Sequence, residues 1–252
     1  MSDLGRSFTF PFRHPSWLSR ALVGAGLEAL PLFLLVPLFV RVLRHGRPFL
    51  GPVAALLLPA VVVGLAGRFL VFGYLARAAR EVIDGSSSGL PAWDRLGEDL
   101  AEGFKLWVAA VALWLPAVAV TAGLALLVMA LSRPSFAWLP VILVGPPAAL
   151  VTFAYLPAGL LAAVSRGELA AAFEFDRVAE TIGREPGPYA LAFLLGFGAE
   201  ILAQLGLVLC CVGIVFTRFL AHCVTVHAFA SAYREAVPAA AAGPTPAPSP
   251  AV

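Results

Sequence analysis

The chain has 252 residues, of which 60% are hydrophobic and 13% are charged, and its mean hydropathy is +0.91. A water-soluble domain carries about 45–50% apolar and about 25% charged residues, so this composition excludes a soluble globular domain and indicates an integral membrane protein. The 17 Lys and Arg residues nearly balance the 15 Asp and Glu residues. Because this balance creates no basic field for a polyanion, the composition also excludes a nucleic-acid-binding protein.

Long apolar runs predict an all-α, polytopic transmembrane helix bundle with six spans. A helix needs about 20 apolar residues to cross about 30 Å of hydrocarbon. The final run, from Pro186 to Tyr233, would be about 72 Å long as one helix, so we divide it at a turn formed by residues 210–213. The predicted spans form three hairpins and lie near residues 18–43, 49–76, 106–132, 135–165, 186–210 and 213–234.

The C-terminal residues differ sharply in composition from the rest of the chain. Residues 1–235 contain the spans and form the predicted transmembrane domain, whereas residues 236–252 are almost entirely Ala, Pro, Gly, Ser and Thr. Such a composition is typical of a disordered chain, so we expect a solvated tail. A proline-rich ligand for a partner is the alternative interpretation.

The basic residues between the spans predict the orientation of the bundle in the plasma membrane. Cytoplasmic loops carry the excess of Lys and Arg, and most basic residues fall on the side that holds both termini, which we therefore expect to be cytoplasmic. A cleaved signal peptide is the alternative interpretation of the N-terminus, but its apolar region spans only about 7–15 residues, and the run from Ala21 to Val40 is longer. The predicted inner residues are Arg6, Arg13, Arg20, Arg77, Arg80, Arg95, Lys105, Arg166, Arg177, Arg184 and Arg234, and the outer ones are Arg41, Arg44, Arg47 and Arg133.

Two segments between the hairpins, residues 91–105 and 168–183, are predicted to be amphipathic linker helices. Helices that bind membranes by themselves carry basic polar faces, whereas these two carry more acidic than basic residues. We expect their apolar faces to lie against the inner ends of the bundle and their acidic faces to be open to the cytoplasm. The acidic faces are either solvated surfaces or docking surfaces for a basic cytosolic partner. The apolar positions are Trp93, Leu96, Leu100, Phe104 and Trp107 in the first linker, and Ala171, Phe175, Val178 and Ile182 in the second.

A Gly-Tyr pair ends the second predicted span, and an Arg, a polar loop with Gly and a Leu-Pro-x-Trp-Asp sequence follow it. This segment, from Gly73 to Trp107, resembles the signature of a prokaryotic membrane protein family named domain of unknown function 4013. The resemblance extends to Phe10-Pro-Phe, Trp17 and Tyr233; it implies a multi-pass membrane protein, and no activity is attached to the family. The matching positions are Gly73, Tyr74, Arg77, Gly85, Leu90, Pro91, Trp93, Asp94 and Gly103.

The residue types of the same segment also predict a corner at the membrane interface. The aromatic side chains of Tyr74 and Trp93 have an apolar body and a polar tip, which suits the headgroup region. Arg77 can anchor the inner end of the second span, and Gly73 allows close helix approach. The segment therefore needs no catalytic role.

Ionisable residues inside the predicted spans are costly in lipid and are therefore candidate functional residues. Glu28 and Arg68 lie at matching depths, and we expect an ion pair between them. Glu200 is expected to meet His222 directly and Arg218 through its long stem. These groups either join helices structurally or line a polar path or ligand pocket that is proton-linked through His222 or His227.

The sequence predicts no catalytic, cofactor-binding or metal-binding residues. It contains no H-E-x-x-H, G-x-S-x-G or Walker sequence, and its His and Cys residues do not have a zinc-site spacing. We therefore expect a non-catalytic scaffold or accessory subunit that contacts the lipid bilayer and other proteins. A small transporter or channel that uses the intramembrane charges is the alternative.

Overall fold

A computed structural model describes residues 6–45, 50–86, 89–131, 136, 138–207 and 211–237, and the regular elements in these ranges are all helical. The apolar runs form most of these helices, as their composition predicts. Short 3₁₀ segments cover Phe10–Phe12, Leu169–Phe173 and Leu205–Leu207. The α-helices are α1 (Trp17–His45), α2 (Leu50–Ile83), α3 (Leu96–Leu131), α4 (Trp138–Leu143), α5 (Gly145–Arg166), α6 (Phe175–Arg184), α7 (Pro186–Gln204) and α8 (Cys211–Ala236).

Five segments of the described chain are long and apolar enough to cross a membrane. This finding supports the prediction of an all-helical membrane protein. The first predicted span corresponds to α1, which has 29 residues but is not among the five segments. The five are Leu57–Ile83, Leu96–Leu131, Trp138–Arg166, Pro186–Gln204 and Gly213–Ala236.

Residues 211–213, which the sequence assigns to the turn between the last two helices, belong to α8. The α-helical part of α7 ends at Gln204, and α8 already begins at Cys211, so residues 211–213 are helical and do not form the turn. Gly206 explains the position of the turn, because a Cβ added there would lie 2.7 Å from the carbonyl oxygen of Gly213. Only a residue without a side chain allows the two ends to approach this closely.

Some residues named in the sequence predictions lie outside the described residues. They are Arg47, Arg133, Cys210 and the tail from residue 238.

The first linker has a different form and orientation from those predicted. Residues 91–95 are not helical, and α3 continues from Leu96 into the membrane segment without a break. Leu96, Leu100 and Phe104 are 48%, 38% and 50% exposed, so the apolar face points away from the bundle. The expectation that this face packs on the bundle is wrong for these three residues, whereas Trp93, which precedes the helix, packs against the core. Asp99 and Glu102 of the acidic face turn inward and form ion pairs with arginines on α2, whereas Glu98 is exposed.

The second linker is divided between the 3₁₀ segment Leu169–Phe173 and α6. Ala171 and Val178 are buried, as the apolar spacing predicts, whereas Phe175 is exposed. The Glu174 carboxylate accepts a hydrogen bond of 2.6 Å from Arg166 and one of 3.0 Å from Arg177. The Arg166 hydrogen bond holds the pKa of Glu174 below its usual value.

Several chain segments meet at one end of the bundle, which we call the arginine-rich end. Arg80 of α2 donates from Nε to the carbonyl oxygen of Val164 on α5, at 3.2 Å. Arg234 of α8 donates to the carbonyl oxygen of Val82, also at 3.2 Å. The N-terminal segment also reaches α8, since Ser7 Oγ lies 2.9 Å from His227 Nδ1. The described N-terminal and C-terminal segments therefore lie on the same side of the bundle.

The N-terminal Phe10-Pro-Phe stretch closes part of this end. Phe10 is almost completely buried, and its ring centroid lies 4.5 Å from that of His227. Ser7 and Ser231, both buried, lie within hydrogen-bond distance of the same imidazole. His227 is thus part of the packing between the N-terminal segment and α8.

Candidate functional site

A cavity of about 450 Å³ opens at the corner between α2 and α3. We call it the corner cavity. It is bounded by the N-terminal segment, the start of α1, the end of α2, residues 90–95 and the start of α3. Six carboxylates and four guanidinium groups line it: Glu81, Asp84, Asp94, Glu98, Asp99, Glu102, Arg20, Arg77, Arg80 and Arg95.

The wall of the cavity is held in place by the aromatic residues of the family signature. The Tyr74 ring is buried and stacks on the Trp93 ring with centroids 3.9 Å apart and an interplanar angle of 9°. The Tyr74 hydroxyl donates to the carbonyl oxygen of Pro91 at 2.9 Å, and Trp93 Nε1 donates to that of Arg20, also at 2.9 Å. Arg20 donates in turn to the carbonyl oxygen of Leu90. These bonds fix residues 90–93 to both α1 and α2.

Close contact between α2 and α3 forms the floor of the corner. A Cβ added at Gly73 would overlap the carbonyl oxygen of Asp99, and one added at Gly103 would overlap that of Phe69. Small residues allow two helix backbones to approach in this way. The two glycines therefore bring the start of α3 within reach of the α2 arginines.

Arg77 is the central cation of the corner. Its guanidinium donates to Asp94 at 2.6 Å, to Asp99 at 2.8 Å and to the carbonyl oxygen of Ala92 at 2.7 Å. Asp99 is only 3% exposed, so its charge depends on this guanidinium for compensation. The buried Nε of Arg77 has no hydrogen-bond partner among the described residues.

The remaining charges of the cavity are unequally compensated. Arg80 forms an ion pair with Glu102, and Arg95 lies 3.6 Å from Glu98. No ion pair within 4 Å to Glu81 or Asp84 is present in the described part of the chain. Among the described residues these two carboxylates therefore have no direct cation partner, and the charges of Arg77, Arg20 and Arg95 act on Glu81 only from a longer distance.

The pairing of Asp94 leads to a prediction for acid stability. The Arg77 hydrogen bond lowers the pKa of the exposed Asp94 carboxyl. A carboxyl with a lowered folded-state pKa stabilises the fold above its unfolded pKa of about 3.9, and this contribution is lost as the pH falls through the folded-state pKa. Below about pH 4 we therefore expect the Tm of the wild type to fall more steeply than that of Asp94→Asn, measured by circular dichroism in detergent. Equal slopes for the two proteins would contradict this prediction, and Glu98→Gln is the matched control.

A second group of ionisable residues joins α1 to the candidate spans in α7 and α8. Glu28 of α1, His222 of α8 and Glu200 of α7 form what we call the intramembrane cluster. Glu28 Oε1 lies 3.1 Å from His222 Nδ1, and Glu200 Oε1 lies 3.3 Å from His222 Nε2. The imidazole therefore lies between two carboxylates from two other helices. The contact expected between Glu200 and His222 is present.

The two intramembrane arginines lie elsewhere than the sequence predicts. Arg68 is exposed and forms no ion pair within 4 Å to any described residue, so the expected Glu28 to Arg68 pair is wrong. His222 takes this place because α1 packs on α8 as well as on α2. Arg218 is exposed, and its charge acts on Glu200 without a contact within 4 Å.

The pairing of Arg77 with Asp99, and of Arg80 with Glu102, was missed at the level of sequence. A signal for it was present, because the two arginines are three residues apart and so are the two acids. Helical residues three apart lie on the same face, so two facing helices can form both pairs together. His14, whose Nε2 lies 3.1 Å from Arg20, had no comparable signal.

Long apolar helices and a charged corner define an all-helical protein compatible with a membrane location. The chain belongs to the family described as protein of unknown function (DUF4013), whose model matches residues 53–212. This match confirms the resemblance of the corner segment, whereas Phe10-Pro-Phe, Trp17 and Tyr233 lie outside the matched residues. No curated protein and no solved structure matches the chain.

Proposed function

We propose that this protein is a non-catalytic scaffold or accessory subunit of the plasma membrane, and that its corner cavity binds a basic segment of a partner protein. The observation that carries the proposal is that Glu81 and Asp84 line a cavity of about 450 Å³ and form no ion pair within 4 Å with any described residue. A Lys or Arg side chain would supply the missing cation. The acids of the first linker, which the sequence predicts as a docking surface, are Asp94, Glu98, Asp99 and Glu102. Arginines on α2 engage Asp94, Asp99 and Glu102, and Glu98 lies 3.6 Å from Arg95.

The proposed topology has six spans in three hairpins, with α1 as the first span and both termini in the cytoplasm. The common position of the N-terminal segment and the end of α8 supports an even number of crossings. The concentration of arginines at this end supports its assignment to the cytoplasm. The corner cavity then opens toward cytosolic partners.

The intramembrane residues favour this role over a transporter or channel. A polar path requires Glu28, Glu200 and Arg218 to line a cavity, and the corner cavity includes none of them. Glu28 and Glu200 instead contact His222 from opposite sides. Direct contacts of this kind between three helices support a structural role in joining them.

The proposal is tested by binding of a defined cationic probe to the full-length protein in nanodiscs. We expect a fluorescent peptide of eight arginines to bind the wild type with an affinity that falls as salt increases. The double variant Glu81→Gln/Asp84→Asn should weaken binding roughly fivefold, as expected for two partly exposed ion pairs. Fluorescence anisotropy measures both effects.

The matched control is Glu168→Gln/Asp176→Asn, which removes two acids between α5 and α7 that do not line the cavity. Its affinity for the peptide should equal that of the wild type. If both double variants weaken binding equally, the peptide recognises only general surface charge, and the corner cavity is not the binding site.

A further inference from the structure

The hydrogen-bond geometry of His222 constrains how many protons the intramembrane cluster holds. Both ring nitrogens face carboxylate oxygens, with Nδ1 3.1 Å from Glu28 and Nε2 3.3 Å from Glu200. A neutral imidazole has one N–H and one lone pair, and an ionised carboxylate only accepts hydrogen bonds. A neutral ring between two carboxylates would thus place one nitrogen lone pair against an oxygen lone pair.

Both contacts are favourable only if the three side chains share one additional proton. That proton lies either on the ring, which then donates to both carboxylates, or on one carboxyl, which then donates to the neutral ring. In each case the three side chains together carry a formal charge of −1. Without the proton the charge would be −2, which is more costly in a poorly solvated environment.

We propose that Glu28, His222 and Glu200 form an intramembrane proton-binding site that links α1, α7 and α8. The site goes beyond the proposed partner binding and is independent of it. Two other groups from the described residues are close enough for electrostatic interaction with it: Arg218 with Glu200, and Cys223 with Glu28. Loss of the proton removes one of the two hydrogen bonds and thereby weakens the link between α8 and one neighbouring helix.

The test is NMR of the full-length protein in nanodiscs at pH 7.5. Nitrogen-15 labels report the ring nitrogens of histidine, and carbon-13 labels report the glutamate carboxyl groups. His222→Asn assigns the His222 signals. We expect either two protonated ring nitrogens on His222, or one protonated nitrogen together with one protonated glutamate carboxyl. A neutral ring with one N–H and two ionised carboxylates in the wild type would overturn the proposal.

The double variant Glu28→Gln/Glu200→Gln supplies a second readout. An amide can donate as well as accept, so the neutral ring can satisfy both of its nitrogens in this variant. We expect the loss of one of the two exchangeable protons of the cluster and a neutral His222 with a single N–H. The matched control, Glu98→Gln/Glu180→Gln, changes two exposed carboxylates elsewhere and should give the wild-type His222 signals. If the double variant kept both protons, the carboxylates would not be the partners that retain them.

Discussion

Replacing Gly73 with Ala is expected to lower the free energy of unfolding by roughly 3 kcal/mol, at the upper end of typical overpacking effects. The added methyl group would overlap the backbone carbonyl of Asp99 on α3, and backbone atoms cannot move aside as the end of a side chain can. The two helices must therefore separate, which also loosens the floor of the corner cavity. Titration with sodium dodecyl sulfate in mixed micelles, followed by circular dichroism, measures the effect.

Two glycines of α3 provide the comparisons for this prediction. Gly103→Ala should have a similar effect, because its methyl group would overlap the carbonyl oxygen of Phe69. Gly123→Ala, also in α3, has no atom within 4 Å of the added Cβ, and the higher helix propensity of Ala should make it neutral or slightly stabilising. Equal losses of stability at Gly73 and Gly123 would show that close contact between α2 and α3 is not the cause.

Replacing Arg77 with Gln is expected to cost roughly 3–5 kcal/mol of stability, because it leaves the carboxylate of Asp99 buried without a cation. The Arg77 side chain is 16% exposed and that of Asp99 is 4% exposed, so water cannot replace the guanidinium. The same change removes the bonds to Asp94 and Ala92 that hold the loop. Unfolding in mixed micelles measures this loss as well.

A double-mutant cycle separates the buried charge from the other contacts of Arg77. Asp99→Asn in the Arg77→Gln background removes the uncompensated charge, and we expect it to restore part of the lost stability. Arg95→Gln is the matched control, because Arg95 and its partner Glu98 are 59% and 75% exposed and such pairs contribute about 0–1 kcal/mol. If Arg77→Gln and Arg95→Gln had equal effects, Arg77 would not be the central cation of the corner.

The sequence was a good guide to the helices and to the corner, and a poor guide to side-chain partners. Apolar runs define helices because each residue contributes to hydropathy independently of its distant neighbours. The corner was also visible, because Gly73, Tyr74, Pro91 and Trp93 lie close together along the chain. The partner of Glu28 was not visible in the sequence, because His222 is 194 residues away. Depth in the membrane alone did not distinguish His222 from Arg68 as that partner.

The first linker shows most clearly why the orientation of a helix could not be predicted from the sequence. The periodicity correctly separates an apolar face from an acidic face, but it does not say which of the two faces the bundle. We assigned the apolar face to the bundle, as in a water-soluble protein. In the structure Asp99 is buried against Arg77, and Phe104 is turned outward on the face that continues with the exposed Val108.

The sequence by itself determined the helical class, the long apolar segments, the basic character of one end and the identity of the corner residues. Each of these is a sum or a pattern over residues that are near one another in the chain. Only the tertiary structure decided the rotation of each helix about its own axis, and with it the pairing of Arg77 with Asp99 and of His222 with two carboxylates. That rotation is set by contacts between distant segments, such as the backbone approach at Gly73 and Gly103, and local hydropathy carries no information about it.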